Sequence, residues 1–451
     1  MNMEVAYISF ANQTEVSIGQ CVPAGLQWRK DAESEFQNQP DILQLKQAID
    51  SLRGEWDSGV SKKCRPLYLT ALHEQKKKRQ TLWIEYLEAK LCKSLEDYIN
   101  TISRKISPES LIVAALPEFF WRDIDDLKKH SDPNKPDTFI QGYGQPFYGS
   151  VFETFVSNQA PVEIPKQNEP CKTLRQLTGR YKNLIVFAGT VWWKRIIDAK
   201  ECFFVTGGGG CGGANLPTGS VAKICTALVR QSEKMFNTLP VFYQGRRIHL
   251  WNKQWVSHID GLGGYYDKME KFSARSFQLS AFSGDSLSPL DSVITGLSSE
   301  AALSTQPIVI INHCNTLLWI SMDICLDFAQ GYDIKTKARV PSAPMSLCLF
   351  PIKPDIQILI AGGMPMMESH ITAKTLFLRC DAVPFAPVLN ASANKPSLRV
   401  CADLRGAGNV NYIALPAPSQ PNPFTGCGIT CSFGAPDPVS DSAPGSKRPR
   451  S

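Results

Sequence analysis

Unbroken apolar segments of strand length recur along this chain, and they restrict it to folds that cover a strand on both faces. Two of them are Ser110–Trp121 ("SLIVAALPEFFW") and Asn183–Trp193 ("NLIVFAGTVWW"). Strands that read as continuous hydrophobic runs occur in sheets that are packed on both sides. Further segments predict more strands: "EVAYISF", "VAKICTALVR", "TLPVFYQGRRIHLWNK" with a turn at Gln244–Gly245, "PIVIINHC", "LLWISMDIC", "IQILIAGG", "TLFLRCDAV" and "YIALPA".

Helical periodicity separates the early strands. Residues Thr81–Ile106 repeat apolar side chains at three- and four-residue steps, which predicts an amphipathic helix. Asp41–Leu52 and Thr173–Lys182 also favour helices, whereas "RPLYLTAL" at Arg65–Leu72 favours a strand. Strands and helices alternate first and strands cluster later, so we predict an α/β fold with mixed sheets and helices packed outside.

Composition divides the chain into three parts. The polar and weakly patterned residues 1–60 are interpreted as an N-terminal extension. Residues 61–415 form the main domain, with insertions at about 122–170 and 272–306. Residues 416–451 are dense in Pro, Gly and Ser and are predicted to be a disordered tail.

The charge of the chain is concentrated at two places. The formal net charge is +6, and "KKKR" at Lys76–Arg79 and "SKRPR" at the C-terminus supply much of that excess. The body is near neutral, so we expect no nucleic-acid partner. No segment approaches the roughly 20 apolar residues that cross a bilayer, and no signal peptide is visible, so we expect no membrane partner.

The fourteen cysteines are scattered through apolar runs. Cys427 and Cys431 lie four apart without a second pair, so we expect no zinc site. A chain of this length does not need a disulfide scaffold, so we interpret the cysteines as reduced residues of a cytoplasmic protein. Export by a non-classical route and nuclear targeting by the basic tail stay open.

Three ionisable residues stand where apolar strands stop: Glu118, Lys253 and Cys325. A carboxylate at the end of a buried strand is suited to act as a base. A lysine at the same place can hold negative charge on an oxygen, and a cysteine beside such a base can form a nucleophilic thiolate. The backbone N–H of Leu326, directly after the cysteine, is a candidate second oxyanion donor. Taken singly, Cys325 is more often a core residue, but three strand ends together favour catalysis.

The segments around these residues resemble motifs of the nitrilase, or carbon–nitrogen hydrolase, superfamily. "LIVAALPEFF" resembles the strand of that family that ends in Pro-Glu, and "NLIVFAGTVWW" resembles its following Gly-Thr strand. "FNTLPVFYQGRRIHLWNK" resembles its Asn-Thr, Gly and aromatic-x-Lys segment. "ISMDICLDF" resembles its Cys-x-Asp motif. The similarity extends over about residues 65–416, with insertions.

The resemblance implies a fold, a reaction and a set of roles. The fold is a four-layer α-β-β-α sandwich with mixed sheets. Glu118 is the general base, Lys253 the oxyanion-stabilising cation and Cys325 the nucleophile of a hydrolase that cleaves amides, in preference to nitriles, through a thioester. The reaction needs no metal and no organic cofactor. The implied partners are a small-molecule amide or nitrile substrate and, as the family often dimerises, a second copy of the chain.

Several positions depart from the family pattern and leave alternatives open. "RRIHL" also resembles a Lys-x-His-Leu motif of the family, which puts Arg247 at the lysine position. The nearest candidate for a second carboxylate after the lysine is Asp260. The family's Arg-Phe-Pro continuation after Cys-x-Asp is missing. A catalytically inactive nitrilase-like binding or interaction protein is therefore the alternative hypothesis, and acyl transfer to another acceptor is a third.

Overall fold

The computed structural model describes residues 2–10, 24–57, 65–122, 146–158, 161–197, 232–255, 306–333, 338–340, 343–350, 352–362, 364, 367–381, 412–414 and 422–433. The strands of these residues are β1 (Asn2–Phe10), β2 (Leu111–Ala115), β3 (Phe147–Tyr148), β4 (Leu184–Phe187), β5 (Val191–Ile197), β6 (Ser232–Tyr243), β7 (Arg246–Asn252), β8 (Ile308–His313), β9 (Thr316–Ile324), β10 (Gly331–Asp333), β11 (Ala338–Val340), β12 (Ile356–Ala361), β13 (Leu376–Asp381), β14 (Tyr412–Ala414) and β15 (Phe424–Ser432). Their helices are α1 (Ala24–Gln37), α2 (Pro40–Asp57), α3 (Arg65–Ile102), α4 (Gly149–Val156), α5 (Leu174–Arg180), α6 (Leu326–Ala329) and α7 (Met345–Leu349).

The described strands form two large sheets and one small ribbon. The larger sheet has the order β14-β15-β1-β2-β4-β6-β5-β3, with β7 paired to β6. In it β1, β2 and β4 are parallel, whereas β15 and β6 flank them in antiparallel pairs. The smaller sheet has the order β13-β12-β9-β8 and combines three parallel strands with the antiparallel β8. The prediction of an α/β fold with mixed sheets is confirmed.

Alternate residues of the central strands enter two different cores. In β1, Ala6 and Ile8 pack in a core with side chains of α1 to α5. Val5 and Tyr7 of the same strand pack in a second core with Ile320 of β9 and other residues of the smaller sheet. The layer order is therefore helices, larger sheet, smaller sheet, and it explains why the central strands are apolar on both faces.

Described residues near both ends of the chain are part of this architecture: β1, α1 and α2 lie within the predicted extension, residues 1–60, and β15 lies within the predicted tail, residues 416–451. β1 lies inside the larger sheet between β15 and β2. α1 and α2 contribute Trp28, Phe36 and Ile42 to the helix-side core. β15 pairs with β1 along its whole length, although its sequence is rich in Gly and Thr. Gly and Thr interrupt the apolar pattern of β15, and an interrupted pattern is a weaker sequence signal than a continuous apolar run.

Two further predictions are corrected within the described residues. Arg65–Leu72 is the first part of the helix α3, not a strand. Leu67 is 73% exposed and Leu69 is 41% exposed, so their alternation does not mark a buried strand face. Asn183–Trp193 contains two strands: β4 and β5 both pair antiparallel with β6, and residues 188–190 interrupt the strand between them with a one-residue shift of register.

The remaining predictions fall partly outside the described residues. The strand predicted at 221–230 and almost all of the insertion at 272–306 lie outside them. The described part of the other insertion forms β3, at an edge of the larger sheet, and α4. In the part of the chain that the structure describes, no helix combines the length and the hydropathy needed to cross a membrane.

A buried carboxyl group joins two of the helices on the larger sheet. Glu88 of α3 is 7% exposed, and its Oε1 accepts a hydrogen bond of 2.7 Å from the backbone N–H of Leu174, the first residue of α5. Burial raises the pKa of Glu88 to about 8 from an ordinary value of 4.5. Because the folded-state pKa is the higher one, the stability that this group contributes is complete below pH 4.5 and is lost as the pH rises through about 8.

We predict that Glu88→Gln removes this pH dependence, since the amide keeps the acceptor oxygen and cannot ionise. Relative to the variant, the wild-type free energy of unfolding is expected to fall between pH 4.5 and 8, by up to roughly 3–5 kcal/mol. Denaturant titrations at a series of pH values measure this difference. Asp97→Asn, at an exposed site later on α3, is the control and should keep the wild-type profile. Identical profiles for all three proteins would contradict the prediction.

Candidate functional site

A buried ion pair stands at the end of β2. Glu118 lies three residues after that strand, at the start of a turn. Its Oε1 accepts a hydrogen bond of 2.8 Å from Nζ of Lys253. The same oxygen accepts a second hydrogen bond of 2.9 Å from Nδ2 of Asn237. The side chains of Glu118 and Lys253 are 1% and 2% exposed. A charge pair removed from water in this way is stable only when hydrogen bonds and the opposite charge satisfy both partners.

Lys253 reaches this position because it prolongs β7 beside β6. Its backbone N–H donates to the carbonyl of Asn237 at 2.9 Å. Leu239 lies two residues after Asn237 on β6, and Trp251 lies two residues before Lys253 on β7. These two residues form a cross-strand pair, and their side chains lie in the core between the sheets. Side chains two residues apart on a strand share a face, so Asn237 and Lys253 also face the smaller sheet.

Cys325 follows β9 of the smaller sheet, and its backbone is fixed next to that of Glu118. The N–H of Cys325 donates to the carbonyl of Ile360 at 2.8 Å, and the N–H of Glu118 donates to the carbonyl of Ala361 at 3.3 Å. These two carbonyls are consecutive groups at the end of β12, separated by a single strand rise of about 3.3 Å. The backbone at Glu118 and the backbone at Cys325 are therefore both hydrogen-bonded to the end of β12. Cys325 is 4% exposed.

Asp327 links the cysteine turn to the lysine segment. Its fully buried carboxylate accepts a hydrogen bond of 2.7 Å from the N–H of Trp255 and hydrogen bonds of 3.1 Å from the N–H of Gln254. Burial raises the pKa of Asp327 well above its ordinary value, and the positive charge of Lys253 opposes that rise by a smaller amount. Glu118 and Lys253 are thus joined by their ion pair. The backbones of Glu118 and Cys325 are linked by the carbonyls of β12, and Asp327 links the turn after Cys325 to the segment after Lys253.

Backbone strain is concentrated at the same place. Five described residues other than glycine have positive φ angles. Three of them, Gln244, Cys314 and Asn315, lie in the tight turns of the β6–β7 and β8–β9 hairpins, where such angles are required. The other two are Phe119, directly after Glu118, with φ of 60°, and Cys325, with φ of 48°. Strain of this kind costs of order 1–3 kcal/mol and is typical of functional sites.

The Gly-Thr pair after β4 holds the Glu118 turn. The hydroxyl of Thr190 accepts a hydrogen bond of 2.9 Å from the N–H of Phe119. Gly189 has a φ of 69°, and a Cβ at this position would lie 2.5 Å from the carbonyl oxygen of Pro117. Only glycine tolerates both the backbone angle and the close approach. The Gly-Thr motif therefore shapes the backbone on both sides of Glu118.

A further buried carboxylate, that of Asp323, belongs to a hydrogen-bond network that reaches the turn after Cys325. Asp323 of β9 accepts hydrogen bonds from the backbone and hydroxyl of Ser346 at 2.9 and 2.7 Å and from Nε2 of Gln357 at 3.0 Å. Burial raises the pKa of Asp323 to about 6. In the same network Nδ1 of His370 lies 2.6 Å from the carbonyl oxygen of Phe328 in α6. These contacts fix α6, and with it the residues that follow the cysteine.

Five of the six predicted site residues lie in the part of the chain that the structure describes. Glu118 and Lys253 are in contact, and the backbone of Cys325 is linked to that of Glu118 through the end of β12 and to the lysine segment through Asp327. Leu326 is the first residue of α6, so its N–H lies at the open end of that helical turn. Arg247 lies six residues before Lys253 on β7, about 20 Å along the strand, and its backbone N–H and carbonyl bind the side chain of Asn158. It is Lys253 whose side chain contacts Glu118. Asp260 lies outside the described residues.

Three residues at the site had no role in the sequence prediction: Asn237, Thr190 and Asp327. Each belongs to a motif that the sequence contains: Asn-Thr, Gly-Thr and Cys-x-Asp. Polar residues in otherwise apolar strand-end segments were the available signal, since buried polar groups need partners. The identity of those partners is set by contacts between distant parts of the chain.

The chain matches none of the protein-family models, curated proteins or solved structures with which it was compared. Within the described residues, no group of three or more His, Cys, Asp or Glu side chains is arranged to hold a metal ion. The chemistry of the site is therefore argued from its own residues.

We predict that Asp327→Ala destabilises the protein by about 2–5 kcal/mol, because it leaves two backbone N–H groups without their acceptor. Asp327→Asn is expected to cost clearly less, since its remaining oxygen can accept from Trp255. Urea unfolding followed by tryptophan fluorescence measures both free energies. Equal losses in the two variants would show that the hydrogen bonds of Asp327 do not hold the lysine segment.

Proposed function

We propose that the chain is a divergent carbon–nitrogen hydrolase of the nitrilase type, which cleaves amides through a cysteine nucleophile. The observation that carries the proposal is the buried contact of 2.8 Å between Glu118 and Lys253, anchored next to Cys325 by the end of β12. Desolvating two charges is expensive, and a hydrophobic pair of similar volume is often at least as stable. Charges kept at strand ends, next to strained backbone, are typical of a catalytic site.

The proposal extends to the fold, as a four-layer α-β-β-α sandwich. Support comes from the helices α1 to α5 on one face of the larger sheet and from the shared core between the two sheets. On the outer face of the smaller sheet, Ser346 of α7 binds Asp323, whose neighbours Met322 and Ile324 point into the shared core. Short helical segments thus cover part of the face where the fourth layer would lie.

The first half of the proposed reaction forms a thioester. The carboxylate of Glu118 takes the proton of the Cys325 thiol, and the thiolate attacks the carbonyl carbon of the amide. The negative charge that develops on the substrate oxygen is stabilised by the ammonium group of Lys253 and the N–H of Leu326. Glu118, now protonated, gives its proton to the nitrogen, the carbon–nitrogen bond breaks, and ammonia or an amine leaves.

The second half regenerates the thiol. Glu118 takes a proton from water, and the resulting hydroxide attacks the thioester carbonyl. The carbon–sulfur bond breaks, the acid product leaves, and the proton returns to the sulfur of Cys325. Lys253 and Asn237 both donate to Oε1 of Glu118, so the proposal assigns all four proton transfers of the cycle to Oε2.

We predict that Cys325→Ala abolishes hydrolysis and that wild-type protein accumulates an acyl group on Cys325. Ammonia release from a panel of aliphatic and aromatic amides measures the first effect, and peptide mass spectrometry after rapid acid quenching measures the second. Cys314→Ala is the control, because this exposed thiol lies in the β8–β9 turn at the opposite end of β9. Ammonia release that persists in Cys325→Ala would refute the proposed nucleophile. Folded wild-type protein that neither releases ammonia nor forms the adduct would favour the binding-protein alternative.

We predict that Asn237→Ala lowers kcat by about tenfold or more while KM changes little, since it removes a hydrogen bond that orients Glu118. The acidic limb of the pH profile should move to higher pH, because the carboxylate loses a donor that favours its charged form. Initial rates over a range of pH measure both effects. Thr178→Ala, which removes a buried hydroxyl on α5 remote from the site, controls for a general loss of packing. An unchanged pH profile together with an unchanged kcat would remove Asn237 from the mechanism.

A further inference from the structure

A positively charged cleft lies at the far end of the β6–β7 hairpin from Lys253. It has a volume of about 520 Å³ and is bordered by α5, by Pro161, Val162 and Ile164, and by the hairpin turn. Three cationic residues line it, Arg175, Lys182 and Arg246, and none of the described lining residues is acidic. Arg246 and Lys253 stand at opposite ends of β7, about 23 Å apart along the strand. The cleft is therefore separate from the site of the proposed hydrolysis.

The walls of the cleft are held rigidly by contacts between α5 and the hairpin turn. The N–H of Gly245 donates to the hydroxyl of Thr178 at 3.2 Å, and Nε of Arg175 donates to the carbonyl of Gly245 at 3.3 Å. A Cβ on Gly179 would lie 3.5 Å from Cα of Gly245 and 2.2 Å from Cδ1 of Ile164. The helix and the turn thus meet backbone to backbone, which places Arg246 beside the cationic residues of α5 and its C-terminal flank.

Two of the cationic residues of the cleft, Lys182 and Arg246, are not paired with an acidic group within the described structure. Lys182 and Arg246 are exposed, and neither forms an ion pair with a described residue. Arg175 donates to the carbonyls of Gly245 and Ser157, which are neutral acceptors that fix the plane of its guanidinium group. Lys182 and Arg246, two like charges on one concave surface, repel one another and concentrate a positive potential there.

We propose that this cleft binds a small organic ligand that carries a phosphate group. Guanidinium groups match the geometry of phosphate oxygens, and charged hydrogen bonds of this type are about twice as strong as neutral ones. Val162 and Ile164 supply an apolar wall, and Ile164 is 38% exposed. The volume lies within the range of small-molecule sites, roughly 300–1,000 Å³. The anionic group binds the cations, and the organic part of the ligand contacts this wall.

Isothermal titration calorimetry of the full-length chain with two probes, inorganic phosphate and phenyl phosphate, tests this site. We expect saturable binding of both probes at one site, with phenyl phosphate the tighter because of the apolar wall. The double variant Lys182→Ala/Arg246→Ala should bind each probe about tenfold or more weakly, and the affinity should fall with added salt. Lys93→Ala, which removes an exposed charge on α3, is the matched control and should bind as the wild type does.

Three results would overturn the proposal. Wild-type protein that binds neither probe saturably has no such site. Affinities that are equal in the wild type, the double variant and the Lys93→Ala control place the anion elsewhere. Equal affinities for the two probes overturn the role given to the apolar wall. Since Lys182 and Arg246 are exposed, the double variant is expected to fold, and its thermal unfolding temperature checks this.

Discussion

The ion pair between Glu118 and Lys253 is the interaction on which the rest of the structure depends. Two charges removed from water at a separation of 2.8 Å are tolerated only while each remains the partner of the other, and removal of one partner typically costs about 3–5 kcal/mol. The pair therefore fixes how the end of β2 meets the end of β7. Asn237 of β6 adds a neutral donor to the same oxygen. The ends of β2 and β7 and the middle of β6 are therefore held together by hydrogen bonds to the Glu118 carboxylate.

The architecture explains why these groups meet. Strands β1, β2 and β4 are parallel, as are β9, β12 and β13, so the carboxyl ends of each set lie at one edge of its sheet. The two sheets pack face to face, and β12 offers consecutive carbonyls to the residues that follow β2 and β9. Sites at the carboxyl ends of parallel strands recur in α/β proteins, since several strand ends converge there and loops complete the pocket. The thiol of Cys325 belongs to this edge for the same reason.

The fold could be predicted where burial leaves a strong local pattern. β2 and β4 are buried along their whole length, and their continuous apolar runs identify them. β15 is rich in Gly and Thr, and its place in the sheet depends on pairing with β1 more than 400 residues away in the chain. The first turns of α3 were misread because Leu67 and Leu69 alternate but face solvent. In both cases the deciding contact is not local, and a pattern in one segment does not contain it.

The same distinction applies to the site. The position of ionisable residues at strand ends, together with the family resemblance, predicted Glu118, Lys253 and Cys325. In the structure these residues follow strand ends that lie at one edge of the packed sheets. Lys253 and Arg247 lie close together in the sequence, and the long-range contact of Lys253 with Glu118, which a local pattern does not contain, distinguishes them. The roles of Asn237, Thr190 and Asp327 also depend on partners 119, 71 and 72 residues away. Residue types at strand ends indicate chemistry, whereas the supporting hydrogen bonds follow from the register of the sheets.

The central claim is that the carboxylate of Glu118 acts on the thiol of Cys325. Alkylation by iodoacetamide, followed residue by residue with mass spectrometry, measures this directly, with the exposed Cys314 as an internal standard in each sample. The account predicts that Cys325 reacts about tenfold or more slowly in Glu118→Gln than in the wild type, while Cys314 reacts at the same rate in both. Equal alkylation rates of Cys325 in the two proteins would contradict it.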